Sequence, residues 1–244
     1  MENTPPMEST AKHSTRPVAE PGSRTATAVV TGATSGIGRE VTRQLAELGW
    51  QVVAIGRDQA SLDELAASTE RISPRRADLL ADDLDALVPE RVDAVVHAAG
   101  ISPSTDVEHT SDEDWEWVLA LNVTAGAALT RRALPALRAS RGTVVFVNSG
   151  AGTAARPRNT PYAASKHALR ALANGLRVEE EGNGVRVSTV YPGPTDTPMF
   201  GGDVDRAELI RPASVARAVV MAITATEDVQ LTDIHVRPRR ELSW

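Results

Sequence analysis

Short runs of β-branched and other apolar residues alternate along this chain with segments of helical period. The runs predict strands at 26–31, 51–55, 92–97, 143–147, 185–191 and 230–236, with a weaker strand near 75–77. The other segments predict helices at 36–48, around 61–67, near 82–87, from Ser111 onward, at 161–181 and at 212–225. Strands that alternate with helices are typical of a parallel sheet covered on both faces. We therefore predict a doubly wound, three-layer α/β/α Rossmann fold in one domain, which binds ligands at the carboxyl ends of its strands.

The first 24 residues differ in composition from the rest of the chain. Residues 1–24 are rich in Pro, Ser, Thr and Glu and contain almost no large apolar side chains. Such a segment cannot bury enough apolar surface to offset the entropy lost on ordering. We predict a disordered tail over 1–24 and the folded domain over 25–244. An expression remnant, a later start at Met7 and a functional arm are the alternatives.

Composition and charge narrow the classes of function. The chain has 244 residues, with 26 Lys and Arg against 32 Asp and Glu, and its formal net charge is −6. This balance argues against a nucleic-acid binder, which usually carries a basic patch. The absence of cysteine excludes disulfides, thiolate metal sites and a cysteine nucleophile. No apolar run approaches the roughly 20 residues of a membrane span, and no signal peptide is evident, so we expect a cytoplasmic protein.

A glycine-rich segment joins the first predicted strand to the first predicted helix. Gly32 allows the chain to turn off the strand, Gly36 allows the backbone to approach a pyrophosphate, and Gly38 allows the helix to pack on the sheet. The helix N-terminus offers free N–H groups to phosphates. A glycine turn without a ligand is the alternative, but its place within a βαβ unit favours nucleotide binding. The predicted cofactor contacts in this segment are Gly32, Thr34, Ser35, Gly36, Ile37 and Gly38.

The end of the second predicted strand indicates which nucleotide is bound. An NAD site usually has an acidic residue there to hold the ribose hydroxyls, and this chain has Gly56 in that place. Arg57 follows, and its guanidinium can pair with a 2′-phosphate. Asp58 is better explained as the N-cap of the next helix. We therefore predict NADP(H) rather than NAD(H), with a solvated Arg57 as the alternative.

A tyrosine and a lysine four residues apart begin the helix predicted at 161–181. Tyr162 and Lys166 lie on the same helical face, about 6 Å apart along the axis. An ammonium near a phenol lowers the phenol's pKa from about 10, which makes tyrosine a usable proton donor and acceptor. Such a pair is often only a surface feature. Here, however, Ser149 precedes it, at the carboxyl end of the strand at 143–147, where the fold places ligands.

In this order, the glycine motif, Ser149 and the Tyr162–Lys166 pair resemble the short-chain dehydrogenase/reductase family. The resemblance covers about residues 25–236 and extends to Asn122 and to Tyr-Pro-Gly-Pro-Thr-Asp-Thr at 191–197. It implies an oxidoreductase that transfers a hydride between NADP(H) and the carbon of a carbonyl or an alcohol. A catalytically silent nucleotide sensor of the same fold is the alternative.

The resemblance also implies a role for each matched side chain of the catalytic group. Tyr162 would act as general acid or base on the substrate oxygen, and Ser149 would position that oxygen. Lys166 would bind the nicotinamide ribose and lower the pKa of Tyr162. Asn122 would hold a water that links Lys166 to solvent.

Further cofactor contacts follow from the same resemblance. Asp78 and Leu79 would flank the adenine, although an ordinary helix-leading Asp78 is the alternative. Thr197 would contact the carboxamide or the phosphates, with a helix cap or loop hydroxyl as the alternative. The remaining implied contacts are Ala98, Ala99, Gly100, Pro192, Gly193 and Thr195. Ala98 stands where the family often has asparagine, and we interpret His97 before it as a core residue rather than a base.

The sequence gives less information about the substrate and the oligomeric state. The segment 194–209 is the predicted substrate loop, in which Met199 and Phe200 either line an apolar pocket or pack on the body of the domain. We expect a small-molecule carbonyl or alcohol substrate, with no metal, nucleic acid or membrane partner. The family pairs the helices over 122–138 and 162–181, so we expect at least a homodimer. In many relatives a glycine-rich C-terminal turn builds a tetramer interface. This C-terminus lacks that turn, so the sequence does not decide whether the protein forms a tetramer.

Overall fold

A seven-stranded parallel sheet forms the centre of the protein in a computed structural model, which describes residues 25–154, 157–201 and 205–240. The strand order is β3-β2-β1-β4-β5-β6-β7, and every pairing is parallel. The strands are β1 (Thr27–Thr31), β2 (Gln51–Gly56), β3 (Ile72–Arg76), β4 (Ala94–His97), β5 (Thr143–Val147), β6 (Arg186–Pro192) and β7 (Asp233–Val236). The predicted tail over 1–24 lies outside the described residues.

Helices cover both faces of the sheet, as predicted. They are α1 (Gly36–Glu47), α2 (Gln59–Ala67), α3 (Asp112–Leu119), α4 (Ala125–Ser140), α5 (Thr160–Glu180) and α6 (Pro212–Thr224). Helices α1, α2 and α6 share one apolar core with the sheet, and α4 and α5 share the other. Successive strand residues alternate between the two cores: Val30 packs with α1, whereas Val29 packs in the core of α4 and α5. The three-layer Rossmann prediction is therefore confirmed.

The predicted elements differ from the structure mainly between β2 and β4. Strand β3 begins at Ile72, earlier than predicted, and contains Pro74; an edge strand tolerates proline because one side of it donates no ladder hydrogen bonds. The helix predicted near 82–87 is wrong, because only a single 3₁₀ turn forms, at Asp85–Leu87. Asp82 and Asp83 accept hydrogen bonds from nearby backbone N–H groups (2.7 and 2.9 Å), which offers the chain an alternative to a helix.

The helical region that Ser111 opens is longer than one helix and is interrupted. The Ser111 hydroxyl accepts a hydrogen bond from the Asp114 N–H (3.1 Å), which caps α3. A π-helical turn at Ala120–Thr124 then joins α3 to α4. Such turns often occur at functional positions, and this one contains Asn122. In the part of the chain that the structure describes, no helix combines the length and the apolar character needed to cross a membrane.

Candidate active site

One cleft of about 700 Å³ opens at the carboxyl ends of the strands. Of the site residues predicted from the sequence, all but Asn122 line it. Those that do are Gly32, Thr34, Ser35, Gly36, Ile37, Gly38, Arg57, Asp78, Leu79, Ala98, Ala99, Gly100, Ser149, Tyr162, Lys166, Pro192, Gly193, Thr195, Thr197, Met199 and Phe200. These predicted residues, up to 168 positions apart in the sequence, therefore meet in one cavity.

The glycine loop is too tight for side chains at two of its positions. Gly32 has a φ of +67°, and a Cβ on it would lie 2.7 Å from the backbone nitrogen of Ala99. A Cβ on Gly38 would lie 2.3 Å from the carbonyl oxygen of Gly32. Helix α1 begins directly after Ser35 and has no acidic residue in its first turn. The N-terminus of α1 thus lies at the cleft. No carboxylate in the first turn of α1 neutralises the positive end of its dipole.

The end of β2 has no room for an acidic side chain. A Cβ on Gly56 would lie 2.4 Å from Cγ2 of Thr34, in the glycine loop. Arg57 follows, exposed on the wall of the cleft. Asp58 is the N-cap of α2 and accepts a hydrogen bond from the Ser61 N–H (2.7 Å). Hydrogen bonding from the Ser61 side chain, and next from its backbone, lowers the pKa of the aspartate. The carboxylate nearest to Arg57 in the sequence is therefore engaged by α2.

A threonine from β1 holds the backbone that follows β4. The Thr31 hydroxyl accepts hydrogen bonds from the N–H groups of Ala98 and Ala99 (both 3.2 Å) and donates one to the carbonyl of Val96 (3.4 Å). These bonds hold the segment at which the family's usual asparagine is replaced by Ala98. Sequence analysis missed this role of Thr31 because its partners lie at least 65 positions away.

His97 is a core residue, as the sequence analysis interpreted it. Its ring stacks on Phe146, with centroids 4.9 Å apart, and its Nε2 lies 2.7 Å from the Thr130 hydroxyl. Burial lowers the pKa of His97 to about 4, so the ring is neutral at physiological pH. It does not line the cleft.

Ser149, Tyr162 and Lys166 come together where β5 meets the first turn of α5. Tyr162 and Lys166 are both buried, and the Lys166 ammonium lies 5.5 Å from the centre of the tyrosine ring. Ser149 and Tyr162 share a side-chain hydrogen bond. The Lys166 ammonium donates to the carbonyl oxygen of Val147, at the end of β5 (3.0 Å). The two hydroxyls and the ammonium thus lie close together at the end of β5.

Asn148 fixes the relative position of β5 and α5. Its side-chain nitrogen donates to the carbonyl of Lys166 (3.0 Å), and its side-chain oxygen accepts from the Ser149 N–H (2.8 Å). Both ends of this buried amide therefore hold a residue of the catalytic group. Sequence analysis did not identify Asn148, because its position before Ser149 carries no chemistry by itself.

The pKa of Tyr162 departs from the sequence prediction. We expected Lys166 to lower it, but burial raises it, and the hydrogen bond from Ser149 opposes that rise only in part. Burial also lowers the pKa of Lys166 to about 8. Both shifts have the same cause, since removing either group from water disfavours its charged form. At neutral pH, Tyr162 is therefore protonated and Lys166 remains mostly charged.

Asn122 lies behind the cleft and joins the segment after β4 to α5. Its side-chain nitrogen donates to the carbonyl of Ile101 and to the Ser165 hydroxyl (both 2.9 Å), and its oxygen accepts from the Ile101 N–H (2.8 Å). A Cβ on Gly100 would lie 3.0 Å from Asn122 Oδ1 and 3.8 Å from Lys166 Nζ. Asn122 and Lys166 thus both border Gly100, and both amide hydrogens of Asn122 are already used by protein groups.

The structure adds lining residues that the sequence analysis did not name. Trp117 of α3 reaches the cleft and is 43% exposed. Arg158 and Arg237 also line the cleft. Arg237 is the first residue after β7, and its position at the carboxyl end of a predicted strand was the signal that could have found it.

The predicted substrate loop is closed at its base. Thr195 and Ile210 form an isolated parallel bridge, and the Asp196 N–H donates to the Ile210 carbonyl (2.9 Å). Met199 and Phe200 both line the cleft. Residues 202–204 of the loop lie outside the described residues.

Comparisons with known proteins agree with this geometry. A family model described as short chain dehydrogenase matches residues 26–207. An uncharacterized short-chain type dehydrogenase/reductase of Sinorhizobium fredii is 32% identical over 232 residues, which cover 89% of this chain and 93% of that protein.

Two solved structures share the fold at lower identity. The 3-ketoacyl-(acyl-carrier-protein) reductase of Brucella melitensis, complexed with NADH, has a TM-score of 0.82 at 23% identity and covers 89% of this chain and 98% of its own. The alcohol dehydrogenase of Thermococcus sibiricus, complexed with 5-hydroxy-NADP, has a TM-score of 0.81 at 22% identity and covers 91% of this chain and 100% of its own. From the family model, the relative and the geometry of the cleft together, we conclude that the chain belongs to the short-chain dehydrogenase/reductase family of oxidoreductases.

Proposed function

We propose that the protein is an NADP(H)-dependent oxidoreductase that interconverts a carbonyl and an alcohol. The observation that carries this proposal is the shape of one cleft. Its first part presents the glycine loop, the start of α1 and Arg57, and its second part presents Ser149, Tyr162 and Lys166. The first part suits a dinucleotide phosphate, and the second suits proton transfer to an oxygen.

The residues fit a nicotinamide dinucleotide. Cβ atoms at Gly32 and Gly38 would lie within 3 Å of loop backbone, so this turn stays narrow and leaves the start of α1 open to the pyrophosphate. The cleft of about 700 Å³ is of the size that ligands and cofactors occupy. The two structural neighbours were complexed with NADH and with 5-hydroxy-NADP, so they support a nicotinamide cofactor but not a choice between its two forms.

The choice of NADP(H) rests on the end of β2. Gly56 gives β2 no terminal carboxylate to bind ribose hydroxyls or to repel a 2′-phosphate, and a Cβ there would lie 2.4 Å from Thr34 Cγ2. Arg57 is exposed on the cleft wall, and its guanidinium can pair with that phosphate through two N–H groups. The further contacts we propose for the cofactor are Asp78, Leu79, Ala98, Ala99, Gly100, Pro192, Gly193, Thr195 and Thr197.

When bound, the nicotinamide supplies the hydride to the carbonyl carbon or accepts it from the alcohol carbon. Ser149 and Tyr162 hold the substrate oxygen between their hydroxyls. In reduction, Tyr162 donates its proton to that oxygen; its raised pKa keeps the phenol protonated at neutral pH. The Lys166 ammonium, 5.5 Å from the ring, then stabilises the phenolate left behind. In oxidation the same groups act in reverse.

Tyr162 must then regain its proton. Lys166 and Asn122 both border Gly100, and we propose that Asn122 holds a water that connects the ammonium with solvent, in addition to the three hydrogen bonds it makes to the protein. Trp117, Met199 and Phe200 would form an apolar wall for the rest of the substrate.

The test is oxidation of NADPH, followed at the absorbance band of the reduced nicotinamide, over a panel of ketones and aldehydes. We expect turnover by the native protein and near-complete loss of it in Tyr162→Phe, which keeps the ring but removes the proton. NADPH binding, measured by fluorescence, should survive in the variant. Binding of NADPH with no turnover of any ketone or aldehyde of the panel would contradict the proposal and favour a silent nucleotide sensor.

A further inference from the structure

The walls of the cleft carry more positive charge than the proposed chemistry uses. Among the described lining residues, Arg57, Arg158, Lys166 and Arg237 are cationic, and Asp78 alone is anionic. The Ala77 N–H, next to Asp78, bonds the carbonyl of Gly56 (2.9 Å), which places Asp78 with Arg57 at the adenosine end. The other three cations belong to the substrate half, in a chain of net charge −6. A cleft lined by one sign of charge concentrates ligands of the opposite sign.

Arg237 lies beside the group that binds the reacting oxygen. Its Nη1 would be 3.4 Å from a Cβ on Gly150, the residue that follows Ser149. Consecutive Cα atoms are about 3.8 Å apart, so the guanidinium is within about two residues' length of Ser149. A group bound by Arg237 would therefore be only a few bonds from the carbonyl held by Ser149.

The backbone of Arg237 is firmly placed by the sheet. It directly follows β7, whose last residue, Val236, pairs in register with Pro192 of β6. The Gly193 N–H also donates to the carbonyl of Val236 (2.8 Å), and a Cβ on Gly193 would lie 2.9 Å from the ring of Pro238. Because the chain is fixed on both sides of Arg237, its guanidinium is presented from a rigid element, as a specific binding site requires.

Arg158 is a second cation on the same half of the cleft. It precedes α5 and has a φ of +56°, a conformation that is uncommon for residues with a Cβ and recurs at functional sites. It adds a second positive charge to the half of the cleft that Arg237 lines, and we treat it as an auxiliary to Arg237.

We propose that the substrate carries a carboxylate or a phosphate close to its reacting carbonyl, and that Arg237 binds this group. The planar guanidinium offers paired N–H donors that match two oxygens of either anion. The reaction remains the carbonyl–alcohol interconversion proposed above, on which this inference rests. It narrows the substrates to small oxo or hydroxy acids and their phosphate counterparts.

Three matched pairs of substrates test the proposal with NADPH in excess: 3-oxobutyrate and its methyl ester, 2-oxobutyrate and its methyl ester, and dihydroxyacetone phosphate and dihydroxyacetone. We expect kcat/KM to favour the anionic member of at least one pair by about tenfold or more. The preferred pair distinguishes carboxylate from phosphate. Arg237→Gln should reduce this preference about tenfold, chiefly through KM, and Arg237→Lys should retain part of it.

Arg239→Gln is the matched control, because Arg239 is an exposed arginine of the same segment that does not line the cleft. It should keep the native preference. Equal turnover of neutral and anionic members, or a preference that Arg237→Gln leaves unchanged, would overturn the inference while leaving the proposed function standing.

If no substrate of any pair is turned over, that result counts against the proposed function itself. A binding measurement then tests the anion site separately. Succinate and its dimethyl ester are titrated calorimetrically into the NADP-bound protein. Binding of succinate alone, lost in Arg237→Gln, would support the anion site. Equal binding of the two compounds, no binding of either, or binding that survives in the variant would overturn it.

Discussion

Replacement of Gly56 by aspartate should fail to create an NAD(H) enzyme unless Thr34 changes with it. The new Cβ would lie 2.4 Å from Thr34 Cγ2, whereas carbon atoms pack best at about 3.5–4.0 Å. The overlap therefore exceeds about 1 Å. Gly56 does not have a positive φ, so the obstacle is this contact rather than the backbone. Overpacking of this kind costs about 1–3 kcal/mol, which is roughly a 5- to 150-fold loss in a binding constant.

The assay is a double-mutant cycle of Gly56→Asp and Thr34→Ser, with kcat/KM measured for NADPH and for NADH. Gly56→Asp alone should weaken NADPH, through repulsion of its 2′-phosphate, without a matching gain for NADH. Thr34→Ser removes only the methyl group in the way and should change little by itself. The double variant should gain NADH activity beyond the sum of the single changes by about 1–3 kcal/mol.

Two results would refute this reasoning. If Gly56→Asp by itself prefers NADH and Thr34→Ser adds nothing, the methyl group is no obstacle. If the effects of the two changes add within about 0.5 kcal/mol, the residues are uncoupled despite their contact. Thermal unfolding of each variant shows whether a loss of activity reflects the cofactor site or the fold.

Three further predictions concern single groups. Arg57→Ala should lower kcat/KM for NADPH about 10- to 100-fold, because a charge-assisted pair with the 2′-phosphate is lost, and should leave kcat/KM for NADH nearly unchanged. An unchanged ratio of the two kcat/KM values would contradict the assignment of NADP(H). The rate of carbonyl reduction should be level near neutral pH and fall as the pH rises through about 8, where Lys166 loses the charge that stabilises the phenolate, and a profile level well beyond pH 8 would contradict this role. Thr31→Val should lower the free energy of unfolding in urea by about 1–3 kcal/mol, because the N–H groups of Ala98 and Ala99 lose their acceptor; native stability in this variant would show that Thr31 is dispensable.

Local patterns in the sequence predicted most of the fold and the outline of the site. The glycine loop and the Tyr162–Lys166 pair depend on spacings of a few residues, which the chain displays directly. The alternation of strands and helices was likewise predicted from the apolar runs alone. The helix predicted near 82–87 failed because the aspartates there bond to neighbouring backbone, a competition that apolar periodicity does not report.

What the sequence could not predict depends on distant contacts. Thr31 meets its partners 65 to 68 positions along the chain, and Asn148 meets Lys166 across 18 positions. The direction of the pKa shift of Tyr162 follows from burial, which is a property of the assembled layers. Arg237 joins the site only because β7 completes the sheet beside β6.

The π-helical turn at Ala120–Thr124 fixes the angular phase between the two helices that it joins. Each α-helical residue turns the chain by about 100°, so a widened turn rotates α3 relative to α4 as a one-residue insertion would. Trp117 thereby faces the cleft while Leu129 and Leu137 of α4 face the core. Deleting one residue from this turn would force a choice between those two orientations. Length changes should therefore be tolerated far less in this turn than substitutions.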